Sequence, residues 1–318
     1  MGRDQRYSAF TKEKSQKLKK IRHLTEFVVL TGLKKLAGIG TVGWVRNYGT
    51  VLGRLAFLAA KKDKGIADFQ LQFCLPELSK RERTLLIKGM FENFGKTLIE
   101  GLIVDKIRKN KGYWICLHHE EIIKKAVERG KGGIFVVGHF GNWELFTLVF
   151  EILGIKGYAV ESPIGVTELD DMLMDCRKSE NLTMIPRGDV NSSRAILKCF
   201  KDKQFLILAI DQDTKAQNIF VDFFGRKAAT TKGAASLAQR FDIPVISAFG
   251  ARNDQGKHDF SFELLSDGPY EKTEQETFEL TQRYTLAVER HIRKYPSQWV
   301  WFHRRWKTQP DEKGQSEI

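Results

Sequence analysis

Residues 132–153, GGIFVVGHFGNWELFTLVFEIL, leave the chain few ways to fold. Ile134 to Val137 is a short apolar run, rich in β-branched residues, that follows Gly132 and Gly133 and suits a buried central strand. Gly138 and Gly141 bracket His139, and Asn142 is a good N-cap for a helix whose Leu145, Leu148, Val149 and Ile152 recur at helical spacing. The stretch reads as strand, sharp turn, helix, with an imidazole at the strand end and Glu144 in the first helical turn. On one regular helix, two side chains five residues apart stand about 140° apart. A histidine in the preceding turn can instead fold back toward such a carboxylate, so the expected pairing is a His139–Glu144 dyad.

Spacing alone is weak support. The 39 acidic residues among 318 put an acid five positions after about one of the seven histidines by chance, and the chain offers two such pairs, His139 with Glu144 and His258 with Glu263. The second lies in KHDFSFELL, which alternates like a half-exposed strand and sends the two side chains to opposite faces. Only the first has a turn that brings the pair together.

An apolar content of 42% over 318 residues supports a sizeable core. The expected division is a basic and apolar helical segment over 1–60, a main domain over 61–310 and a disordered tail over 311–318. The formal net charge of +13 calls for an anionic partner, whether nucleic acid, an acidic membrane surface or a phosphorylated ligand. Cys74, Cys116, Cys176 and Cys199 are scattered without a C-x-x-C pair or histidines at ligand spacing, which points to neither a disulfide framework nor a metal site. A reduced, cytosol-facing compartment fits this usage.

Residues 1–35 hold ten Lys or Arg against three acids, too basic for too long to be a cleaved signal. From Leu24 to Ala60 the chain is apolar but broken by Lys34, Lys35, Arg46 and Arg54, so no clean membrane-spanning run is expected. The basic stretch followed by apolar segments bearing Trp44 reads either as a segment lying in the interface of an anionic leaflet or as a helical hairpin packed on the main domain.

Further along, helices are expected over 66–73 and 79–107, the latter opened by the capping-box pattern SKRE, with Leu85, Leu86, Met90, Phe94, Leu98 and Leu102 as a core stripe. Strands are expected at 113–117, 158–160 and 182–185, and helices at 120–129, 168–180 and 191–201. Phe205 to Ile210 must be a buried strand, and it ends in Asp211-Gln212-Asp213, where ligands sit in alternating β and α chains. The plain alternative for those polar residues is a solvated loop. After a strand or hairpin arm at 218–224, Thr231 and Lys232 open a small-residue helix over 234–241 whose free amides would suit an anion. Strands at 244–249 and 259–265 and a helix over 274–293 complete an α/β chain, with a mixed, mostly parallel central sheet flanked by helices.

The stretch Tyr295 to Trp306, YPSQWVWFHRRW, carries three tryptophans, two arginines and a histidine. By composition it fits a base-stacking surface, a membrane interface or the closure of an anionic headgroup site.

Taken together, HFGNWE at 139–144, DQD at 211–213, FFG at 223–225 followed by AATTKGAASLA, and the ending PSQWVWFHRRW resemble the bacterial lipid A biosynthesis acyltransferases, the late lauroyl and myristoyl transferases, with their phosphatidylinositol-mannoside acyltransferase relatives. The resemblance runs from about residue 45 to 307. It implies a glycerolipid-acyltransferase-like α/β core on the cytoplasmic face of the inner membrane, peripheral or monotopic. It implies transfer of an acyl chain from acyl carrier protein, or from acyl-CoA, to a hydroxyl of an anionic glycolipid, with no cofactor, metal or nucleic acid. His139 would be the general base and Glu144 its orienting carboxylate, without an acyl-enzyme. Oxyanion contacts would come from the backbone amides of Gly141 and Asn142 and the Arg187 side chain, and oxyanion or substrate contacts from Asp211, Gln212, Thr231, Lys232, Arg304 and Arg305. A Cys116 nucleophile beside His118 and His119 is the competing mechanism.

Two departures qualify the resemblance. Many members have a clear N-terminal membrane-spanning helix, where this chain shows only the interrupted apolar segment over 24–60, so peripheral anchoring is expected. Many also have an aromatic-arginine pair before the proline near residue 163, where this chain has Glu161 and Ser162, so another glycolipid acceptor stays open. The reading from a different class is a basic nucleic-acid-binding protein, which has the charge but no module signature.

Overall fold

Five consecutive parallel strands, reaching to one edge, make up most of a seven-stranded sheet. In chain order they are β1 (Ile115–His118), β2 (Gly133–Val137), β3 (Gly157–Glu161), β4 (Leu182–Pro186), β5 (Phe205–Ala209), β8 (Val245–Arg252) and β9 (His258–Ser266), and in space they run β1-β9-β8-β2-β5-β3-β4. The pairs from β8 to β4 are all parallel; β9 runs antiparallel to β8, and β1 parallel to β9. A separate antiparallel hairpin consists of β6 (Asn218–Phe223) and β7 (Arg226–Thr231). The computed structural model describes residues 32, 40–162, 174, 176–213 and 217–310. Most of the N-terminal segment, the start of the helix expected from 168 and the tail from 311 lie outside the described residues.

Every residue of β2 is buried, as a strand covered on both faces requires. Its alternation splits the core: Ile134 and Val136 pack on one side with Leu206 and Trp299, and Phe135 and Val137 on the other with Phe205, Ile207 and Leu148. The strand leads through Asn142 into a 3-10 turn, Trp143–Leu145, before the α-helix Phe146–Leu153 begins. Asn142 caps this turn through its side chain, which accepts from the Glu144 amide at 3.1 Å.

Two long helices brace the sheet from the N-terminal side. The helix Val42–Ala59 crosses Lys80–Leu102 at three glycines, where a Cβ on Gly95 would lie 2.2 Å from the Gly49 carbonyl oxygen and one on Gly53 2.2 Å from that of Phe91. Only glycine allows this approach, and the contact fixes how the first helix is rolled. Its outer face then presents Trp44, Tyr48, Val51, Leu55 and Leu58 to solvent. No described helix is long and apolar enough to cross a membrane.

Several local expectations need correction. The capping box at Ser79 and Glu82 forms, but the helix it opens ends at Leu102 and restarts as Val104–Lys109. Leu85 and Phe94 of the expected core stripe are exposed, because the packed face is set by Ile87, Phe91, Gly95 and Ile99. The segment Arg226–Thr231 is a strand with no apolar alternation to announce it; pairing with β6 supplies its order. His258 is buried while Glu263 is exposed against Arg290, so that pair does face opposite ways.

Candidate active site

β2 and β5 are neighbours in register, with Val137 opposite Ala209, and the pairing continues one step further as the Ile210 amide donates to the Val137 carbonyl at 3.1 Å. Just beyond those ends stand His139 and Asp211. The Asp211 carboxylate accepts the His139 backbone amide on Oδ2 at 2.8 Å and lies 2.8 Å from the ring Nδ1 through Oδ1. The indole Nε1–H of Trp299 donates to Oδ2, also at 2.8 Å. Because a carboxylate only accepts, the proton of the neutral ring sits on Nδ1 and Nε2 keeps its lone pair. Asp211 is buried, whereas the His139 side chain keeps 26% of its surface and lines a cavity of about 480 Å³.

The glycines around the histidine are required by close approach. A Cβ on Gly138 would sit 2.4 Å from the Phe140 ring, and Gly141 holds a left-handed φ of 52° while its amide donates to the Gln298 carbonyl at 3.1 Å. That amide is therefore committed and is not an oxyanion donor in this arrangement. The Asn142 side chain, as distinct from the backbone amide expected to meet the oxyanion, is held at both ends, with Nδ2 donating to Glu100 at 2.9 Å and Oδ1 accepting from the Glu144 amide at 3.1 Å.

The expected His139–Glu144 pairing does not form. Glu144 accepts two hydrogen bonds from Arg177, at 2.7 Å from both Nε and Nη2, and a third from the Trp143 indole at 3.0 Å. Trp143 packs edge-on to the His139 ring with centroids 5.2 Å apart. The remaining Arg177 nitrogen, Nη1, donates to Glu161 at 2.5 Å. Glu144, Arg177 and Glu161 thus form a cluster on the cavity wall with one net negative charge. Arg177 carried no signal in the sequence, since it falls in an ordinary charged stretch.

The electrostatics follow from these contacts. Burial opposes charging the His139 imidazole, but the charge and hydrogen bond of Asp211 outweigh it and Glu144 adds to the same side, so its pKa is raised above the ordinary 6.5. Burial would raise the Asp211 carboxyl, yet His139 and the Trp299 indole hold it down at about 2.

The other expected site residues divide. Arg187, Gln212 and Thr231 line the cavity, whose walls are otherwise mostly apolar: Leu182, Met184, Ile196, Ile207 and Leu237 among them. Lys232 stands at the N-cap position of the helix Gly233–Phe241, without a side-chain capping bond, and does not line the cavity. Arg304 is exposed and also outside the lining. Arg305 is buried and donates to the Ala229 carbonyl at 2.6 Å and to Thr230, which makes it a brace for β7 and corrects its reading as a substrate contact. Asp211 is likewise corrected: it stands behind His139, where its oxygens are already bonded.

Trp299 and Trp301 are fully buried, so the aromatic ending cannot offer them as a stacking surface for bases. Cys116 lies on the edge strand β1 and does not line the cavity, and none of the four cysteines forms a disulfide. Among the described residues no group of three His, Cys, Asp or Glu side chains could hold a metal ion.

The model of the bacterial lipid A biosynthesis acyltransferase family matches residues 11–308. The chain is 29% identical over 279 residues to the lipid A biosynthesis lauroyltransferase of Escherichia coli K12, covering 84% of this chain and 86% of that protein. It is 27% identical over 274 residues to the lipid A biosynthesis palmitoleoyltransferase of the same strain, covering 82% and 84%. A lipid A biosynthesis acyltransferase of Haemophilus influenzae is 26% identical over 281 residues, covering 85% and 83%.

The paired shifts make stability depend on pH in a defined direction. The Asp211 share is present above its ordinary 3.8 and is lost as pH falls toward about 2; the His139 share is present below 6.5 and is lost as pH rises through its raised value. The difference in Tm between wild type and Asp211→Asn is therefore expected to be widest between those limits and to narrow on both sides. A difference independent of pH would contradict the pairing.

Proposed function

Because the chain belongs to the bacterial lipid A biosynthesis acyltransferase family and is an acyltransferase, we propose that it transfers a fatty acyl chain from a thioester donor, acyl carrier protein or CoA, to a hydroxyl of a lipid A precursor, with His139 as general base. The observation that carries this reading is the His139–Asp211 pair at the mouths of two adjacent strands, with the imidazole lining a mostly apolar cavity.

A hydroxyl is a poor nucleophile at neutral pH, and a thioester is already activated, so the protein has one proton to remove and one oxyanion to stabilise. His139 Nε2 takes the hydroxyl proton as the oxygen attacks the thioester carbonyl. The tetrahedral intermediate collapses with cleavage of the C–S bond, and the imidazolium returns the proton to the leaving sulfur. Products are an ester and a free thiol, with no covalent acyl-enzyme. Asp211 holds the imidazole in its Nδ1–H tautomer and stabilises the imidazolium. The net negative Glu144–Arg177–Glu161 cluster favours the same charged state from the cavity side, so Glu144 acts at range and not as the orienting partner. Arg187, on the cavity wall, is the cation offered to the developing oxyanion. The acyl chain lies against Leu182, Met184, Ile196, Ile207 and Leu237.

A lipid acceptor brings the enzyme to a membrane surface, and the helix Val42–Ala59 suits peripheral contact on the cytoplasmic face. It contains no acidic residue and carries the exposed row Trp44, Tyr48, Val51, Leu55 and Leu58.

Incubation of purified protein with mixed-length acyl carrier thioesters and a tetra-acylated lipid A precursor, followed by mass spectrometry, is expected to show a gain of one acyl mass that His139→Ala abolishes. Retained turnover in the variant would remove the base assignment, and a histidine-dependent gain only on a phosphatidylinositol mannoside would move the acceptor. Leu55→Glu with Leu58→Glu is expected to lower sedimentation with phosphatidylglycerol vesicles at least fivefold while leaving Tm within a few degrees. Unchanged sedimentation would place the membrane contact elsewhere.

A further inference from the structure

A carboxylate lies buried behind the turn that presents His139. Glu100, near the end of the helix Lys80–Leu102, is fully buried and does not line the cavity. Its Oε1 accepts from Arg46 Nε at 2.7 Å, and its Oε2 accepts from Arg252 Nη2 at 2.7 Å and from Asn142 Nδ2 at 2.9 Å, with His258 Nε2 3.2 Å away. One turn earlier on the same helix face, Thr97 donates its hydroxyl to the Gly141 carbonyl. Two consecutive residues of the His139 turn are therefore held from one helix.

The chemistry of Asn142 explains why a carboxylate is needed at that point. A buried amide has two ends to satisfy, and only an oxygen can cap the Glu144 amide. Glu100 accepts and cannot donate, so it forces Nδ2 inward and aims Oδ1 at the Glu144 N–H. A group that could donate as well as accept would let the amide turn over and lose the cap. An ionised carboxylate is costly to bury unless paired, and a purely structural core is served as well or better by apolar side chains. Here the charge is met by Arg46 from the N-terminal helix and Arg252 from β8, the latter also held by Asn93 at 2.8 Å and by Gln298 through its backbone.

We propose that Glu100 is a positioning residue for acyl transfer: by fixing Asn142 it sets the start of the 3-10 turn Trp143–Leu145 and keeps the preceding turn in the shape that seats His139 against Asp211. Arg46 makes the helix Val42–Ala59 part of that support, so the helix with the exposed apolar row is also tied to the reacting centre. The inference rests on His139 as the base.

The test is a double-mutant cycle of Glu100→Gln and Asn142→Ala in the full chain, with kcat, KM and Tm read together. Glu100→Gln is expected to lower kcat at least tenfold with KM within about twofold. The double variant is expected to be no worse than Asn142→Ala alone within about twofold, because both changes break one path. A Glu100→Gln enzyme with lowered Tm but wild-type kcat, or rate losses that multiply in the double variant, would reduce Glu100 to a stabilising residue. Should Glu100→Gln not fold, Asn142→Ala decides: kcat within twofold of wild type overturns the proposal, and a loss of tenfold or more at unchanged KM upholds it. His139→Ala in the same assay keeps the two claims apart, since turnover surviving that change removes the base assignment whereas a wild-type rate in Glu100→Gln removes only the positioning role.

Discussion

The parallel register between β2 and β5 is the constraint on which the site depends. Val137 opposite Ala209 carries the two chains out of the sheet side by side, so that His139 and Asp211 meet two residues later with two hydrogen bonds between them. A shift of one residue would turn every side chain of β2 to the other face and bury the imidazole in the core. Both faces of β2 are apolar, so the register is opposed to such a shift by side-chain shape: Phe135 stacks on Phe205 on one face, and the smaller Ile134 and Val136 pack with Leu206 on the other. Catalytic geometry is thus a by-product of core packing, extended past the strand ends by glycines that let the backbone turn within reach of Phe140 and Gln298.

Around this pair the C-terminal segment serves as scaffold. Trp299 bonds Asp211, the Gln298 carbonyl takes the Gly141 amide, and Gln298 also clasps both backbone groups of Arg252. Trp301 and His303 carbonyls are held by Gln70, whose Oε1 accepts the Arg305 amide. Residues that look by composition like a recognition surface are spent on buried contacts, because indole and guanidinium groups bridge apolar packing and fixed polar partners equally well. The ionic groups left on the cavity wall are Glu144, Arg177, Glu161 and Arg187.

Much of this was legible in the residues. The strand-turn-helix around His139, the alternating α/β order and the polar strand end at Asp211 can be read from local pattern, because periodicity and turn chemistry are local. The partner of His139 cannot. Seventy-two residues separate it from Asp211, and only the order of strands in the sheet brings them together, whereas Glu144 is near in sequence and is claimed by Arg177. Arg305 shows the same limit from the other side: charge is visible in sequence, but burial against Ala229 and Thr230 depends on where β7 lies. The glycines Gly49, Gly53 and Gly95 gave no signal of helix crossing, since each becomes meaningful only when its counterpart is in contact.

The carboxylate that holds the His139 Nδ1 proton is the group that orients the base. In protein labelled with 15N at histidine, that proton is expected as a low-field resonance which Asp211→Asn abolishes or moves strongly upfield and Glu144→Gln leaves in place. Loss of the resonance in Glu144→Gln with its retention in Asp211→Asn would contradict the pairing and return the orienting role to Glu144.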